Sequence, residues 1–249
     1  MINTAKRREL IIDQLCREGT VRVEQLSQQF SVSSVTIRSD LRQLEKHGCA
    51  MLNKQFAFDR PLQDKGRLNR DVKHVIACAA AALIEDGDAV ILDSGSTTSQ
   101  MAPQLAGKKD LVVMTNALNI AFELASNEQI DLMVVGGSVR RKAWSLYGPA
   151  AEQQLRQYRF DKLFLGVDGF DLTSGITTPD PGEAQLNRVM CEVAREVIAI
   201  ADASKFGRTS FCMIREIGQI HRLVTDSRIP AHYLQALHHL GIDVIIADR

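Results

Sequence analysis

The sequence predicts a two-domain α/β protein, in which a winged helix-turn-helix domain precedes a three-layer α/β domain. Three observations predict this class. The chain has 249 residues, 45% of them hydrophobic, which is enough for a small core and a medium one. Short amphipathic segments fill its first part, and from Val72 onward apolar runs alternate with helical segments. We expect the first domain over residues 1–57, a linker over 58–71, and the second domain over 72–249.

The first 57 residues carry start and stop signals for three helices. Gly19 and Gly48 stand where glycine commonly ends a helix. The predicted order is a helix over 6–18, a short strand over 20–23, a helix over 24–30, a turn over 31–33, a helix over 34–47 and a wing over 49–58. This is the order of a winged helix-turn-helix.

The third predicted helix has the pattern of a DNA-reading helix. Ile37, Leu41 and Leu44 follow i, i+4, i+7 spacing and therefore share the face that packs on a core. Ser33 is the predicted N-cap, and short side chains at the front of the helix allow a close approach to base edges. Candidate DNA contacts are Ser34, Val35, Thr36, Arg38, Ser39 and Arg42, with Lys54 of the wing as a backbone contact.

Charge and cysteine content bound the function further. The chain has 30 basic and 30 acidic residues, but residues 1–54 hold nine basic side chains against six acidic ones. This small excess suits modest contact with a DNA backbone. The five cysteines are odd in number and lack C-x-x-C spacing, which predicts reduced thiols in a cytoplasmic protein. We expect no membrane segment.

The second domain is predicted from seven apolar runs separated by helical segments. Such alternation is typical of parallel strands joined by crossover helices. The predicted strands cover residues 89–92, 111–114, 132–135, 163–167, 197–201, 223–225 and 244–247.

Polar or glycine residues follow most of these strands. In a parallel sheet the carboxyl ends lie along one edge, where open α/β domains bind ligands, so these residues should converge. The loop 94–98 lies between a strand and a predicted helix, where amides and hydroxyls can surround a phosphate. Candidate effector contacts are Asp93, Ser94, Gly95, Ser96, Thr97, Thr98, Asn116, Gly136, Gly137, Arg140, Asp168, Asp202 and Lys205.

The chemistry expected of this edge is that of a small phosphorylated sugar or polyol. Lys205 and either Arg140 or Arg141 can balance the phosphate charge, while carboxylates and Asn116 can bond hydroxyls. The alternative for the same residues is structural, because such loops and aspartates often only cap helices and paired glycines often only permit a sharp turn. The histidines lack metal spacing, and neither a Walker motif nor G-x-G-x-x-G occurs, so we expect no metal and no cofactor.

At these residues the chain resembles the DeoR family of bacterial transcriptional regulators. Residues 35–41, followed by Leu44 and Glu45, resemble its helix-turn-helix signature. Blocks at 93–98, 115–116, 136–137, 160–169, 175–178 and 202–206 resemble its effector-domain blocks in the same order. The resemblance implies a second domain similar to ribose-5-phosphate isomerase and the coenzyme A transferases, which senses a phosphorylated sugar. It also implies repression of a sugar operon, relieved when the sugar phosphate accumulates.

Two stretches of the chain differ from the family's usual pattern, and a third resembles a particular group of its members. The family's wing commonly carries a Gly-Gly-Ala tip, whereas residues 51–57 here contain no glycine, which argues against minor-groove insertion. After Thr178 the usual residue is replaced by Pro179, Asp180, Pro181 and Gly182, so the carboxylate that faces the ligand is left open, and Glu183 joins the candidates. Residues 186–194 resemble regulators of N-acetylgalactosamine, galactitol or sorbitol use.

Three classes of function fit these residues. In the first, the second domain forms a homo-oligomer that positions two or more reading helices on double-stranded operator DNA, and the effector changes their spacing. In the second, the chain is a sugar-phosphate isomerase-like enzyme with an accessory DNA module, using Glu183, Asp168 and Lys205. In the third, the sheet domain only dimerises. The sequence favours the first, because the helix-turn-helix is complete whereas no base–acid pair is fixed by spacing.

Overall fold

The computed structural model describes residues 3–18, 21, 23–46 and 61–248. The chain divides into two compact units, Met1–Arg60 and Pro61–Arg249. This division corrects the predicted linker, since residues 61–71 belong to the second unit. The correction has a physical reason: polar side chains, which leave no hydrophobic periodicity in the sequence, attach this segment to the second unit.

The first unit contains three helices: α1 (Thr4–Glu18), α2 (Val23–Phe30) and α3 (Ser34–Lys46). The predicted inward face of α3 is confirmed, because Ile37, Leu41 and Leu44 are buried. They pack in one cluster with Ile11, Leu26 and Phe30. Val23 begins α2 instead of ending a strand. The rest of the predicted strand, except Val21, and the whole predicted wing lie outside the described residues.

Two polar contacts fix α3 within this unit. The Ser33 hydroxyl accepts a hydrogen bond from the Thr36 amide at 3.2 Å, which confirms the predicted N-cap. Asp40, which is buried, accepts hydrogen bonds from Arg7 Nε at 2.6 Å and from Arg8 Nε at 2.8 Å. The two α1 arginines that the sequence counted among the positive charges near DNA are therefore already paired.

The second unit begins with two helices, and its remaining helices are separated by one or more strands. In chain order they are α4 (Leu62–Arg67), α5 (Arg70–Ala81), β1 (Ala89–Leu92), β2 (Leu111–Thr115), α6 (Leu118–Leu124), β3 (Ile130–Val134), β4 (Ser138–Arg140), β5 (Ser145–Tyr147), α7 (Pro149–Leu155), β6 (Phe160–Gly166), β7 (Gly169–Asp171), β8 (Gly175–Thr178), α8 (Pro181–Val193), β9 (Ala194–Ile200), β10 (Cys212–Arg215), β11 (Arg222–Asp226), α9 (Ala231–His239) and β12 (Asp243–Ala247).

Seven parallel strands form the central sheet in the order β12-β11-β9-β6-β1-β2-β3. Each of the seven predicted strands overlaps one of them. Neighbouring residues of β1 enter different cores, since Ile91 packs with α7, α8 and α9 whereas Val90 packs with α5 and α6. The sheet is thus covered by helices on both faces, as a three-layer α/β domain requires.

The strand order reverses beside β1. From β1 the chain continues through β2 to β3 on one side, and β6, β9, β11 and β12 lie on the other. A crevice opens at such a point, outside the carboxyl ends of the strands. A small antiparallel sheet, β10-β8-β7, and the hairpin β4-β5 complete the unit.

Candidate functional site

A cleft lies at the carboxyl ends of β1, β6 and β9, beside the switch point of the sheet. It brings together seven of the residues that the sequence predicted for effector binding, six of them from segments that follow these three strands and one, Glu183, from α8. Its lining is Lys65, Ser94, Gly95, Ser96, Thr97, Gly166, Val167, Asp168, Thr178, Glu183, Ile200, Ala201 and Lys205.

The loop after β1 forms one wall of the cleft. The Gly95 carbonyl accepts hydrogen bonds from the Thr98 hydroxyl at 2.9 Å and from the Ser99 hydroxyl at 2.6 Å, which fixes the turn. A Cβ on Gly95 would lie 2.8 Å from Thr98 Oγ1, so a side chain does not fit here. Within the described residues, the amides of Gly95, Ser96 and Thr97 donate to no protein acceptor. Three consecutive donors are thus available to a ligand.

The structure corrects one part of the phosphate argument. The sequence predicted a helix after this loop, but the chain forms two short 3₁₀ helices there, Thr98–Gln100 and Ala102–Leu105. Pro103 lies within the second of them. These segments are too short for aligned peptide dipoles to accumulate, so the capacity to hold an anion rests on the amides and on nearby cations.

Asp168, at the end of β6, lies between two lysines. Lys65 Nζ is 2.8 Å from each of its carboxylate oxygens, and Lys205 Nζ is 3.7 Å away. Burial acts to raise the pKa of Asp168, but the two ammonium groups outweigh it and lower that pKa to about 2. Burial also lowers the pKa of Lys205. Asp168 is therefore ionised at neutral pH and faces two lysines in the cleft.

Glu183 and Arg140 form a second charged pair. Arg140 Nη1 donates to Glu183 Oε2 at 2.7 Å, and Arg140 Nε is 3.2 Å from Asp180. Thr178 Oγ1 donates to Glu183 at 3.0 Å. Asp180 caps α8 by accepting from the Glu183 amide, and Glu183 lines the cleft. Of the two carboxylates that the sequence left as alternatives, Glu183 therefore lines the cleft and Asp180 caps a helix. Arg140 is paired with both carboxylates instead of with the predicted phosphate site.

The remaining predicted residues do not line the cleft within the described chain, and each has a structural contact instead. Asn116 Nδ2 donates to the Ser94 hydroxyl at 3.2 Å, Asp202 accepts from the Ser204 amide at 3.1 Å, and the Thr98 hydroxyl is bound to Gly95. Gly136 and Gly137 follow β3, two strands from β1, and are therefore about 10 Å away. The capping alternative accounts for Asp202, and the turn alternative accounts for Gly137, which has a φ of 120°.

Asp93 lies below the cleft wall. It accepts hydrogen bonds from the amides of Ser94 and Gly166. Desolvation, with a smaller contribution from the charge of Glu183, raises its pKa to about 8. The side chain is buried and protonated at neutral pH, which suits a structural role beneath the loop.

The sequence prediction missed the roles of three side chains, two lysines and one threonine. Lys65 was assigned to the linker, Lys73 Nζ is buried and donates to the Leu68 carbonyl at 2.8 Å, and Thr178 lines the cleft. Burial lowers the pKa of Lys73 to about 8. Only Thr178 carried a signal, because it lies in one of the blocks that resemble the DeoR family.

The outward face of α3 is as open as the sequence predicted. Val35 is 73% exposed, and Ser34, Arg38 and Ser39 are also exposed. Thr36 is half-buried, and its hydroxyl is 2.9 Å from that of Ser33. The side chain of Arg42 and the whole of Lys54 lie outside the described residues. The exposed face thus combines small polar groups with one described arginine.

A helix-turn-helix unit followed by an α/β unit with a polar cleft defines a ligand-responsive DNA-binding regulator. The comparisons give the same class. The DeoR-like helix-turn-helix domain model matches residues 7–55, and the DeoR C-terminal sensor domain model matches residues 68–227. The chain belongs to the DeoR family of transcriptional regulators, so it is a DNA-binding regulator and not an enzyme.

Curated relatives match along almost the whole chain. A candidate aga operon transcriptional repressor from Escherichia coli O157:H7 is 42% identical, covering 99% of this chain and 95% of its own. The transcriptional repressor AccR of Agrobacterium fabrum is 35% identical, covering 90% of each chain. The transcriptional repressor GlcR of Bacillus subtilis is 32% identical, covering 96% of this chain and 95% of its own.

Solved structures give weaker matches. Ribose-5-phosphate isomerase A from Methanocaldococcus jannaschii has 20% identity and a TM-score of 0.41, covering 55% of each chain. A translation initiation factor eIF-2B from Pyrococcus horikoshii has 16% identity and a TM-score of 0.44, covering 84% of this chain and 69% of its own. The fold assignment rests on the sheet topology and the two DeoR models. In the described ranges, no helix has the length and apolarity needed to cross a bilayer.

Proposed function

We propose that this chain represses a carbohydrate-utilisation operon in the cytoplasm and that a phosphorylated sugar or polyol, bound in the cleft, lowers its affinity for operator DNA. The observation that carries the proposal is the meeting of the Gly95–Thr97 amides with Lys65 and Lys205 in one cleft. Repression is supported by the names of the relatives, one of which refers to the aga operon. We extend that sugar class to this chain as part of the proposal.

The proposed ligand has an anionic end and a hydroxylated end. The phosphate accepts from the amides of Gly95, Ser96 and Thr97 and faces Lys205, since hydrogen bonds to charged groups contribute about 1.5–3 kcal/mol each. The hydroxyl groups donate to the carboxylates of Asp168 and Glu183, two residues that line the same cleft. A neutral sugar satisfies only the second half of this site.

On the DNA side, we propose that α3 enters the major groove. Arg38 contacts a base or a phosphate, and Ser34, Val35 and Ser39 lie against base edges, because their side chains are short and exposed. Arg42 and Lys54 remain sequence predictions of the same kind. A homo-oligomer that reads two half-sites together would compensate for the small positive charge of one unit.

A thermal-shift screen of the full chain tests the ligand. We expect a hexose, hexitol or amino-sugar phosphate to raise the melting temperature, since a ligand at 100 times its Kd adds about 2.7 kcal/mol of stability. Lys205→Met should reduce this shift, and so should Ser96→Ala, which keeps the amide but removes a hydroxyl of the loop that lines the cleft. The matched controls Lys109→Met and Ser126→Ala alter exposed side chains elsewhere and should leave it unchanged.

Two results would contradict the proposal. One is the absence of any shift across the panel, which would leave the cleft without a ligand of this class. The other is a shift that Lys205→Met and its control reduce equally. For the DNA side, an Arg38→Ala chain that binds a duplex selected by the wild-type protein as tightly as wild type does would overturn the assignment of α3.

A further inference from the structure

The helix α4 is attached to the second unit by polar contacts. None of its residues is buried. The Leu62 amide donates to the Lys142 carbonyl at 2.8 Å, and the ammonium of Lys65 lies 2.8 Å from Asp168. At its carboxyl end, Lys73 binds the carbonyls of Lys65 and Leu68. No side chain of α4 is fully buried, and one of the polar contacts that attach it lies in the cleft.

The position of α4 in the chain gives this contact a consequence. The first compact unit ends at Arg60, and α4 begins at Leu62. It is therefore the first helix that the chain forms after the DNA-binding unit. If α4 shifts, the point at which the chain enters the second unit from the DNA-binding unit shifts with it.

The electrostatics of the cleft make the Lys65 contact exchangeable. Lys65 and Lys205 share one carboxylate, that of Asp168. A phosphate at the Gly95–Thr97 amides would lie on the lining that both lysines share, and its greater negative charge competes with Asp168 for them. Leu62 and Gly66 of α4 also border a neighbouring groove of about 390 Å³, so α4 has space into which it can shift.

We propose that α4 transmits cleft occupancy to the DNA-binding unit: the ligand phosphate takes Lys65 from Asp168, the ligand hydroxyls donate to Asp168 in its place, and α4 shifts. This inference rests on the proposed function and adds its regulation. It also explains selectivity. Inorganic phosphate supplies no sugar hydroxyls to replace Lys65 at Asp168, and a neutral polyol leaves the Lys65–Asp168 pair intact, so the switch requires both groups in one molecule.

The first experiment needs no ligand. Operator duplexes are selected from a random pool by the full-length protein, and their affinity is measured for Lys65→Met, which removes the pair with Asp168. We expect affinity to fall about 5- to 150-fold, the usual range of coupling between two sites. Lys65→Arg retains a cation opposite Asp168 and should bind close to wild type. Lys109→Met, which alters an exposed lysine on another surface, is the matched control.

The second experiment adds defined probes: inorganic phosphate, free hexitols, and hexose, hexitol and amino-sugar phosphates. In wild type, only a phosphorylated sugar or polyol should weaken operator binding. In Lys65→Met, the same compound should still raise the melting temperature through Lys205 and the amides, yet produce no further loss of operator affinity. Hydrogen exchange at Leu62–Arg67 should become faster in wild type when the compound binds.

The outcomes separate this inference from the proposed function. If no probe shifts the wild-type melting temperature, the ligand class is wrong, and the ligand-free comparison of Lys65→Met with Lys65→Arg still decides the role of α4. The inference fails if Lys65→Met binds operator as wild type does. Should that variant be unstable, unchanged exchange at Leu62–Arg67 in ligand-saturated wild type overturns it equally.

Discussion

Asp40 in the first unit and Asp168 in the second are each buried between two cations. Asp40 pairs with Arg7 and Arg8, and Asp168 pairs with Lys65 and Lys205. The difference lies in access. The side chain of Asp40 is 2% exposed and joins two helices, whereas that of Asp168 is 10% exposed and lines a cleft. The same charge arrangement thus joins two helices where it is closed to solvent, and lines a cleft where it is partly open.

The largest expected effect comes from Asp40→Asn. Loss of this charge leaves the buried Arg7 without its counterion, which costs about 3–5 kcal/mol. The first unit should unfold at a lower temperature, and operator binding should be lost with it. The measurement is thermal unfolding followed by circular dichroism.

Two controls sharpen that comparison. Asp168→Asn should destabilise the second unit less, because water or an added anion can reach Lys65 and Lys205. Glu9→Ala removes an exposed ion pair with Lys6 and should leave unfolding unchanged. Equal losses for Asp40→Asn and Asp168→Asn would refute the claim that access distinguishes the two sites.

The next largest effect is expected in the pH dependence of the free energy of unfolding of Asp93→Asn. Asp93 has a pKa of about 8, above its unfolded value, so the folded chain binds the extra proton between about pH 4 and pH 8. Stability from this group therefore falls as pH rises through that window, at most by about 1.4 kcal/mol per unit. Asp93→Asn should remove this part of the slope. Asp131→Asn, at an exposed position, should retain the wild-type slope.

The sign for Asp168 is opposite. Its pKa of about 2 lies below the unfolded value, so its contribution is present above about pH 4 and is lost as pH falls toward 2. Urea unfolding from pH 3 to pH 8 measures both carboxylates in one experiment. An Asp93→Asn chain with an unaltered slope would show that Asp93 is ionised in the folded protein.

The sequence predicted the elements that a local, repeating pattern of apolar residues marks. The seven strands were found because each is an apolar run, and the core face of α3 was found from i, i+4, i+7 spacing. The contacts of Asp40 and Asp168 were not found. Lys65 and Asp168 are 103 positions apart, and Arg7 and Asp40 are 33 apart, so no periodicity records them. The short strands β4, β5 and β7 have only three residues each, too few for a pattern.

The cleft was predictable in part for a topological reason. Residues that follow parallel strands share an edge, which placed the loop after β1 near Asp168 and Lys205. The same rule does not bring Gly136 and Gly137 to the cleft, because sequence order does not give strand order. These glycines follow β3, which is two strands from β1 on the side away from β6. Which strand ends meet depends on the switch point, and that is a property of the folded sheet.

A smaller effect should follow from Gly95→Ala. The new Cβ would lie 2.8 Å from Thr98 Oγ1, so the loop must shift, at a cost of about 1–3 kcal/mol. The shift of melting temperature by a sugar phosphate should also be lost, because the amides move. Gly107→Ala is the matched control, since its Cβ would have no atom within 4 Å. Equal behaviour of the two variants would show that the close packing of Gly95 is not required.

The smallest expected effect is at the start of α3. Ser33→Ala removes the acceptor for the Thr36 amide, and loss of an N-cap costs about 1 kcal/mol. Ser33→Asp keeps an acceptor and adds a negative charge at the helix start, so it should restore unfolding to the wild-type temperature. Because Ser33 precedes the reading face, Ser33→Ala should weaken operator binding only as far as it destabilises α3. A loss of operator affinity in Ser33→Asp at full stability would instead indicate that phosphate repulsion acts at this position, and that the helix start lies against the DNA backbone.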